Sequence, residues 1–181
     1  MFFKFFKNSS GDQSRFLFFN RNRASVDYEM TSTSHLPQFG FTEAISYNHP
    51  KLKGFAPVAV VQVFNTGIYP KAGIQYYRMK GNFTIFTWLI TETLSKPTID
   101  YYLLSRYEPK LTNKLGLFTQ VELLNAFQTD PERSDNFIQR IRAGLKTNAW
   151  QYGLGVDLAQ AEGNDYELQY NAGIFLRYVF N

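Results

Sequence analysis

The sequence contains no cysteine, which excludes disulfide bonds, thiolate metal ligands and a lipid-modified N-terminal cysteine. It contains only two histidines, His35 and His49, and both fall in segments that predict loops. No run of about 18 apolar residues occurs, so the sequence predicts no membrane-spanning helix. Charged residues make up 19% of the chain, below the share of about 25% that is typical of soluble proteins. The cysteine and histidine side chains that most often bind metals or act in catalysis are therefore absent or few.

Recognisable functional motifs are also scarce. The formal net charge is +4, but no basic run accompanies it, so we expect no nucleic-acid partner. We find no phosphate loop, metal-ligand cluster or nucleophile motif, and therefore expect no cofactor, no metal and no catalytic site. A barrel hydrolase that pairs His35 with Ser34 or Asp130 is an enzymatic alternative, but no spacing supports it.

Aromatic residues, in contrast, are abundant. They make up 18% of the chain, with 18 Phe and 12 Tyr, while the mean hydropathy is only −0.30. This combination is typical of a membrane β-barrel, in which alternate residues face lipid. It is also compatible with a soluble β protein that has a large aromatic core.

The chain divides into about ten strand-like segments with no helical periodicity between them. The predicted strands are 15–29, 40–47, 55–64, 69–79, 82–93, 98–108, 114–127, 135–147, 149–159 and 166–180. Most are about ten residues long, the length of a tilted transmembrane strand, and local turns join them. We therefore predict an all-β fold, a closed antiparallel up-and-down barrel of about ten strands in a single domain, 14–181. The last strand pairs with the first, which hides both sheet edges, and residues 1–13 form a tail or a short plug.

The last predicted strand carries a specific pattern. One of its faces is apolar and the other mostly polar, because side chains alternate along a strand. A polar residue, a glycine, two hydrophobic residues and a closing aromatic follow at fixed spacing: Asn171, Gly173, Leu176, Tyr178 and Phe180. This pattern resembles the C-terminal assembly signal of outer-membrane β-barrel proteins, although here Asn181 follows the aromatic that usually ends the chain.

The resemblance implies an outer-membrane protein of a Gram-negative-type envelope whose signal peptide has been removed. It implies contact with outer-membrane lipids and with the barrel-assembly machinery. The function we expect is non-enzymatic: a structural barrel, a narrow porin-like passive channel, or an accessory subunit of a membrane complex. The alternative is a soluble lipocalin-like barrel that binds an apolar ligand. Strand 55–64 supports that alternative because it is apolar on both faces; in a membrane barrel, we expect a protein partner on its outer face.

The polar faces of the later strands predict a charged network inside the barrel. Its predicted members are Arg106, Gln120, Glu122, Arg140, Arg142 and Asp157. A hairpin centred on residue 131 sets Glu122 across from Arg140 and Gln120 across from Arg142. A turn at 147–148 sets Gly155 beside Arg140. Because unpaired buried charge is costly, we expect these groups to pair and to block most of the lumen.

Four aromatic residues are predicted to form girdles at the membrane interfaces: Trp88, Trp150, Tyr152 and Tyr170. In strand 149–159, alternate residues are apolar and separated by polar residues and glycines, so we expect these apolar residues to face lipid: Trp150, Tyr152, Leu154 and Val156. The alternative to the girdles is that these aromatic residues form a buried aromatic core.

Overall fold

The computed structural model describes residues 2–25, 38–94, 98–129, 135–161 and 167–179. These residues form a single sheet of eleven strands, each hydrogen-bonded to the next in chain order. The strands are β1 (Phe2–Lys7), β2 (Gln13–Ser25), β3 (Gln38–Tyr47), β4 (Phe55–Phe64), β5 (Gly67–Lys80), β6 (Phe83–Glu92), β7 (Thr98–Tyr107), β8 (Gly116–Gln128), β9 (Asn136–Thr147), β10 (Trp150–Ala161) and β11 (Glu167–Tyr178). A short 3-10 helix, Pro50–Leu52, lies between β3 and β4. No helix within the described ranges is long and apolar enough to cross a membrane.

The ten predicted strands correspond to β2–β11, and the prediction of an all-β antiparallel meander is confirmed. The eleventh strand, β1, forms within the segment for which a tail or plug is predicted. It pairs antiparallel with β2, and the rings of Phe3 and Phe19 lie 5.1 Å apart. Its apolar residues therefore cover an edge of β2 that would otherwise be unpaired.

The sheet of the described residues is open. Its two edge strands are β1 and β11, and no ladder joins them in this part of the chain. The predicted pairing of the last strand with strand 15–29 is not formed here, because β2 is flanked by β1 on one side and β3 on the other. The described sheet is therefore not closed into a barrel.

The chain separates into two compact units. The first comprises Met1–Gln75 and Ile90–Lys96. Its buried apolar side chains are Leu17, Phe19, Ala44, Ala56, Val58, Val60 and Ile90. Among its buried polar groups, the Gln75 side-chain amide donates a hydrogen bond of 2.6 Å to the Ser46 hydroxyl, which satisfies both groups inside the core.

The second unit comprises Tyr76–Leu89 and Pro97–Asn181. Its buried apolar side chains are Phe86, Trp88, Tyr102, Leu104 and Phe118. Its face also buries polar and charged groups: Thr98, Gln120, Glu122, Arg140 and Gln151. This unit contains every member of the predicted charged network.

Tight turns set the strand register. Asn148 has a φ of 53° and opens the turn between β9 and β10, which places Thr147 opposite Trp150. The predicted turn at 147–148 is therefore wrong by one residue, and the register shifts by two. Gly155 lies across from Arg142 rather than Arg140, and Asp157 lies across from Arg140. This shift brings a carboxylate opposite a guanidinium.

Candidate functional site

The buried face of the second unit combines its aromatic core with charged and polar side chains, and its outward face is mostly apolar. Gln120 and Gln151 are each only 1% exposed, whereas Leu154 is 68% and Ile174 89% exposed. Within β7–β11, every charged residue whose side chain the structure describes lies at one of the alternate strand positions that point to the buried face, which we call the buried-face parity. These residues are Asp100, Arg106, Glu122, Arg140, Arg142, Lys146, Asp157 and Arg177. A water-facing surface normally shows the opposite pattern.

The predicted network members meet on this buried face. The β8–β9 register places Glu122 across from Arg140 and Gln120 across from Arg142, as predicted from the hairpin centre. Arg140 lies between two carboxylates, with Glu122 at 3.8 Å and Asp157 at 3.3 Å. Arg142 contacts the second oxygen of Asp157 at 2.5 Å and donates to the Val156 carbonyl at 3.2 Å. These charges are thus paired rather than isolated.

The network extends beyond the predicted residues. Arg177 of β11 donates to Gln120 Oε1 at 3.2 Å, and Arg106 of β7 donates to the same oxygen at 3.0 Å. Glu108 accepts from Lys146 at 3.0 Å and from Gln151 at 2.8 Å. Lys146, Gln151 and Arg177 point to the same side of their strands as the predicted members, which is the sequence signal for these additions. Glu108 lies just beyond β7, but it falls within the predicted strand 98–108 and points to the same side as Arg106.

Side chains also connect strands that are not neighbours in the sheet. The rings of Phe118 on β8 and Phe175 on β11 lie 5.6 Å apart. The bond from Arg177 to Gln120 spans the same pair of strands. Such contacts require the β8–β11 sheet to curl around its buried face, so the network fills the concave side of this unit.

Glycines lie next to the long side chains of the network. A Cβ atom at Gly155 would lie 2.6 Å from Arg142 Cδ, so the absence of a side chain leaves room for the guanidinium arm. Gly153 and Gly144 face each other in the β9–β10 ladder. A Cβ at Gly153 would lie 2.2 Å from the Ala143 carbonyl oxygen, which indicates a close backbone approach.

The outward aromatic residues lie near both strand ends. Trp150 and Tyr178 are opposite each other, with ring centroids 5.0 Å apart in an edge-to-face arrangement. Tyr152 is 40% exposed, and Tyr170, towards the other end of β11, is 80% exposed. Trp88 differs: it is only 4% exposed and packs against Phe86 and Tyr102, with centroids 5.3 and 5.4 Å away. The girdle prediction is therefore wrong for Trp88, which belongs to the aromatic core.

The residues of the assembly-signal pattern lie along β11. Asn171 is across from Asp157, and Gly173 is across from Gly155, both on the buried-face parity. Leu176 and Tyr178 point to the outward side and are 70% and 46% exposed. Phe180 lies outside the described residues.

The first unit has a polar group on its outward side. Asn20 of β2 donates a short hydrogen bond to the Glu43 carboxylate of β3 and a second bond of 3.3 Å to Asn22. Glu43 lies between the buried residues Thr42 and Ala44, so its side chain points outward, where Val61 of β4 lies beside it. The outward side of β2–β4 therefore carries a charged residue, unlike the described outward positions of β7–β11.

His49 is the histidine that the structure describes, and its contacts are structural rather than those of a catalytic site. His49 caps the 3-10 helix, and its Nδ1 accepts a hydrogen bond of 3.2 Å from the Lys51 amide. Ser34, His35 and Asp130 lie outside the described residues. Within the described ranges, no group of three or more His, Cys, Asp or Glu side chains could hold a metal ion.

The fold and the site together define an antiparallel β-meander whose strands β7–β11 carry their described charges on the buried face and mostly apolar side chains on the outward face. No protein-family model matches the chain, and no curated protein or solved structure is significantly similar to it.

Proposed function

We propose that this protein is an outer-membrane β-barrel with a non-enzymatic role, either structural or as a narrow passive channel. The observation that carries the proposal is the arrangement of charge in β7–β11, where the described charged residues share the buried face and the outward face is uncharged and mostly apolar. In a bilayer, such an outward face contacts acyl chains, whereas in water it would leave a large apolar patch exposed.

The spacing of the outward aromatic residues supports the same proposal. Tyr170 and Tyr178 share one face of β11 and are eight residues apart, which corresponds to about 27 Å along the strand. A strand tilted by about 40° would separate the two rings by about 20 Å in height, close to the roughly 25 Å apolar band of outer-membrane barrels. Aliphatic side chains, including Ile174, lie between them.

We further propose that the membrane-embedded form is closed by pairing between β11 and β2. Strands β2–β11 have ten or more residues each, enough to span a bilayer, whereas β1 has six. In an antiparallel meander, β11 runs parallel to β1 but antiparallel to β2. Antiparallel pairing is the more stable of the two, and the resulting ten-stranded barrel has the even strand number of bacterial barrels. In this proposal, β1 covers the β2 edge until closure displaces it.

The location and partners follow from the same proposal. The pattern on β11 supports an outer membrane of the Gram-negative type, contact with its lipids and recognition by the barrel-assembly machinery. The outward Asn20–Glu43 bond supports a protein partner, since polar groups at membrane depth usually face protein rather than lipid. We therefore propose that a partner chain contacts the β2–β4 face, next to the Phe55–Phe64 strand, which suits an accessory subunit.

The two tryptophans provide a direct test. Single-tryptophan variants, Trp88→Phe and Trp150→Phe, are reconstituted into vesicles whose lipids carry bromine on their acyl chains. We expect strong quenching of Trp150, which is 46% exposed on the outward face, and weak quenching of the buried Trp88. If the protein remains soluble without detergent and neither tryptophan is quenched, the soluble lipocalin-like alternative replaces the membrane proposal.

A further inference from the structure

Arg177 is a buried-face cation that forms no direct ion pair with a carboxylate among the described residues, and Glu122 and Glu108 act on its charge only from farther away. Its Nη1 donates to the neutral Gln120 Oε1 at 3.2 Å. Its guanidinium carbon lies 5.1 Å from the centroid of the Phe118 ring. Neither of these two contacting groups carries a negative charge, and a buried charge is costly unless it is paired or hydrated.

Arg106 approaches the same two groups. Its Nε donates to Gln120 Oε1 at 3.0 Å, and its guanidinium carbon lies 5.8 Å from the Phe118 centroid. Its ion pair with Glu108 is long, at 3.9 Å, and the other oxygen of Glu108 already accepts from Lys146 and Gln151. Two guanidinium groups thus converge on one neutral oxygen and lie within a few ångströms of each other.

The charge balance of the network leaves this end positive. The groups that these contacts join comprise five cations, Arg106, Arg140, Arg142, Lys146 and Arg177, and three carboxylates, Glu108, Glu122 and Asp157; Asp100, also on this face, lies six residues before Arg106 in β7. Glu122 and Asp157 are engaged by Arg140 and Arg142. The surplus positive charge therefore lies around Arg106 and Arg177.

We propose that Arg106 and Arg177 form a binding site for a small oxyanion of the phosphate class on the buried face of the second unit. A guanidinium carries five N–H donors in a planar fork that matches oxyanion geometry, and each of these two groups uses one donor on Gln120. An anion between them would accept the remaining donors and balance the two like charges. The site lies on the buried face alone and does not depend on what covers the outward face.

The test is the thermal unfolding of the folded full chain, in detergent where it is required, during titration with inorganic phosphate at constant ionic strength. Arg177→Gln is compared with Lys110→Gln, a matched change at an exposed residue of the β7–β8 connection. We expect saturable stabilisation of the wild type and of Lys110→Gln. In Arg177→Gln, the apparent affinity should fall by about 10- to 100-fold, the effect of losing charge-assisted hydrogen bonds.

Two results would overturn the site. One is the absence of saturable stabilisation in the wild type, and the other is an unchanged phosphate affinity in Arg177→Gln. If Arg177→Gln does not fold, Arg177→Lys retains the charge but loses the fork, and calorimetric titration should still report weaker phosphate binding than in the wild type. An equal phosphate affinity for Arg177→Lys and wild type would then contradict the proposal. Lipid quenching of Trp150 is independent of all these outcomes, so the membrane proposal and the anion site fail separately.

Discussion

Glu122 and Arg140 lie directly opposite each other in the β8–β9 ladder, with 3.8 Å between Glu122 Oε2 and Arg140 Nη1. Their side chains are only 9% and 8% exposed. A buried ion pair contributes little net stability relative to an apolar pair, but removal of one partner is strongly destabilising. Replacement of either residue alone should therefore lower the free energy of unfolding, because it leaves the other charge buried without its partner.

We predict that Arg140→Met lowers the free energy of unfolding by about 3–5 kcal/mol, because it removes the cation that the ladder sets against Glu122. Adding Glu122→Gln should recover part of this loss. Urea unfolding followed by tryptophan fluorescence measures both effects, with Lys110→Met as an exposed control that should change little. Strictly additive effects of Arg140→Met and Glu122→Gln would show that the two side chains are not coupled.

Three glycines should respond differently to the same substitution. Gly153→Ala is expected to be the most destabilising, by about 1–3 kcal/mol or more, because its Cβ would meet backbone atoms. Gly155→Ala should cost less, since the clash is with the Arg142 side chain, which can move. A Cβ atom at Gly173, opposite Gly155, would have no other atom within 4 Å, so Gly173→Ala should be nearly neutral. Equal losses at Gly153 and Gly173, measured by urea unfolding, would contradict the observed register.

Much of the fold could be predicted from the sequence because the strand period is simple. In β9 and β10, charge and glycine mostly alternate with apolar residues, which separates the two faces of the sheet without coordinates and favours the charged face as the inner one. The β8–β9 register followed from a symmetrical polar loop. The β9–β10 register did not, since a left-handed Asn148 moves the turn by one residue and each such step shifts the pairing by two.

Other features lacked a signal of this kind. β6 carries large apolar residues on both parities, so alternation alone could not show that Trp88 points inward and Leu89 outward. β1 is short and precedes a loop, and only the unpaired edge of β2 explains its strand conformation. Alternation places Arg177 and Glu108 on the buried face, but their partners lie on non-adjacent strands and depend on sheet curvature, which sequence spacing does not give.

The outward face predicts a position-dependent cost for arginine. Leu154→Arg should destabilise the protein in lipid vesicles by about 2–4 kcal/mol if residue 154 lies near the bilayer midplane. The matched control is Leu111→Arg, because Leu111 is also exposed but lies in the β7–β8 connection. Unfolding titrations in vesicles should separate the two variants. Identical stabilities would indicate that residue 154 faces water.

Deletion of β1 distinguishes the two ways of closing the sheet. Without residues 1–11, pairing between β11 and β2 loses its competitor, so insertion into vesicles should be retained or become faster. A barrel closed through β1 should instead fail to assemble. Protease protection in vesicles measures the inserted fraction. The opposite deletion, residues 176–181, removes the closing strand end and the assembly-signal pattern, and it should abolish insertion in either case.

The charged network predicts a low conductance for the wild-type protein. Side chains from β7, β8, β9, β10 and β11 meet on the concave side of the second unit, where Phe118 also packs on Phe175. A closed barrel of about ten strands has little interior space beyond that filled by such side chains. Planar-bilayer recordings of the wild type should therefore show no large, stable open state.

Changing both Arg140 and Arg142 to alanine should raise this conductance, because it removes two long side chains from the interior and releases Asp157 from its partners. The matched control changes Lys110 and Lys114, two exposed cations of the β7–β8 connection, to alanine. Both double variants lose the same formal charge, so only the position of the removed side chains differs. Equal conductance in the two variants would place the barrier outside the network, and a large wild-type conductance would show that the network does not block the lumen.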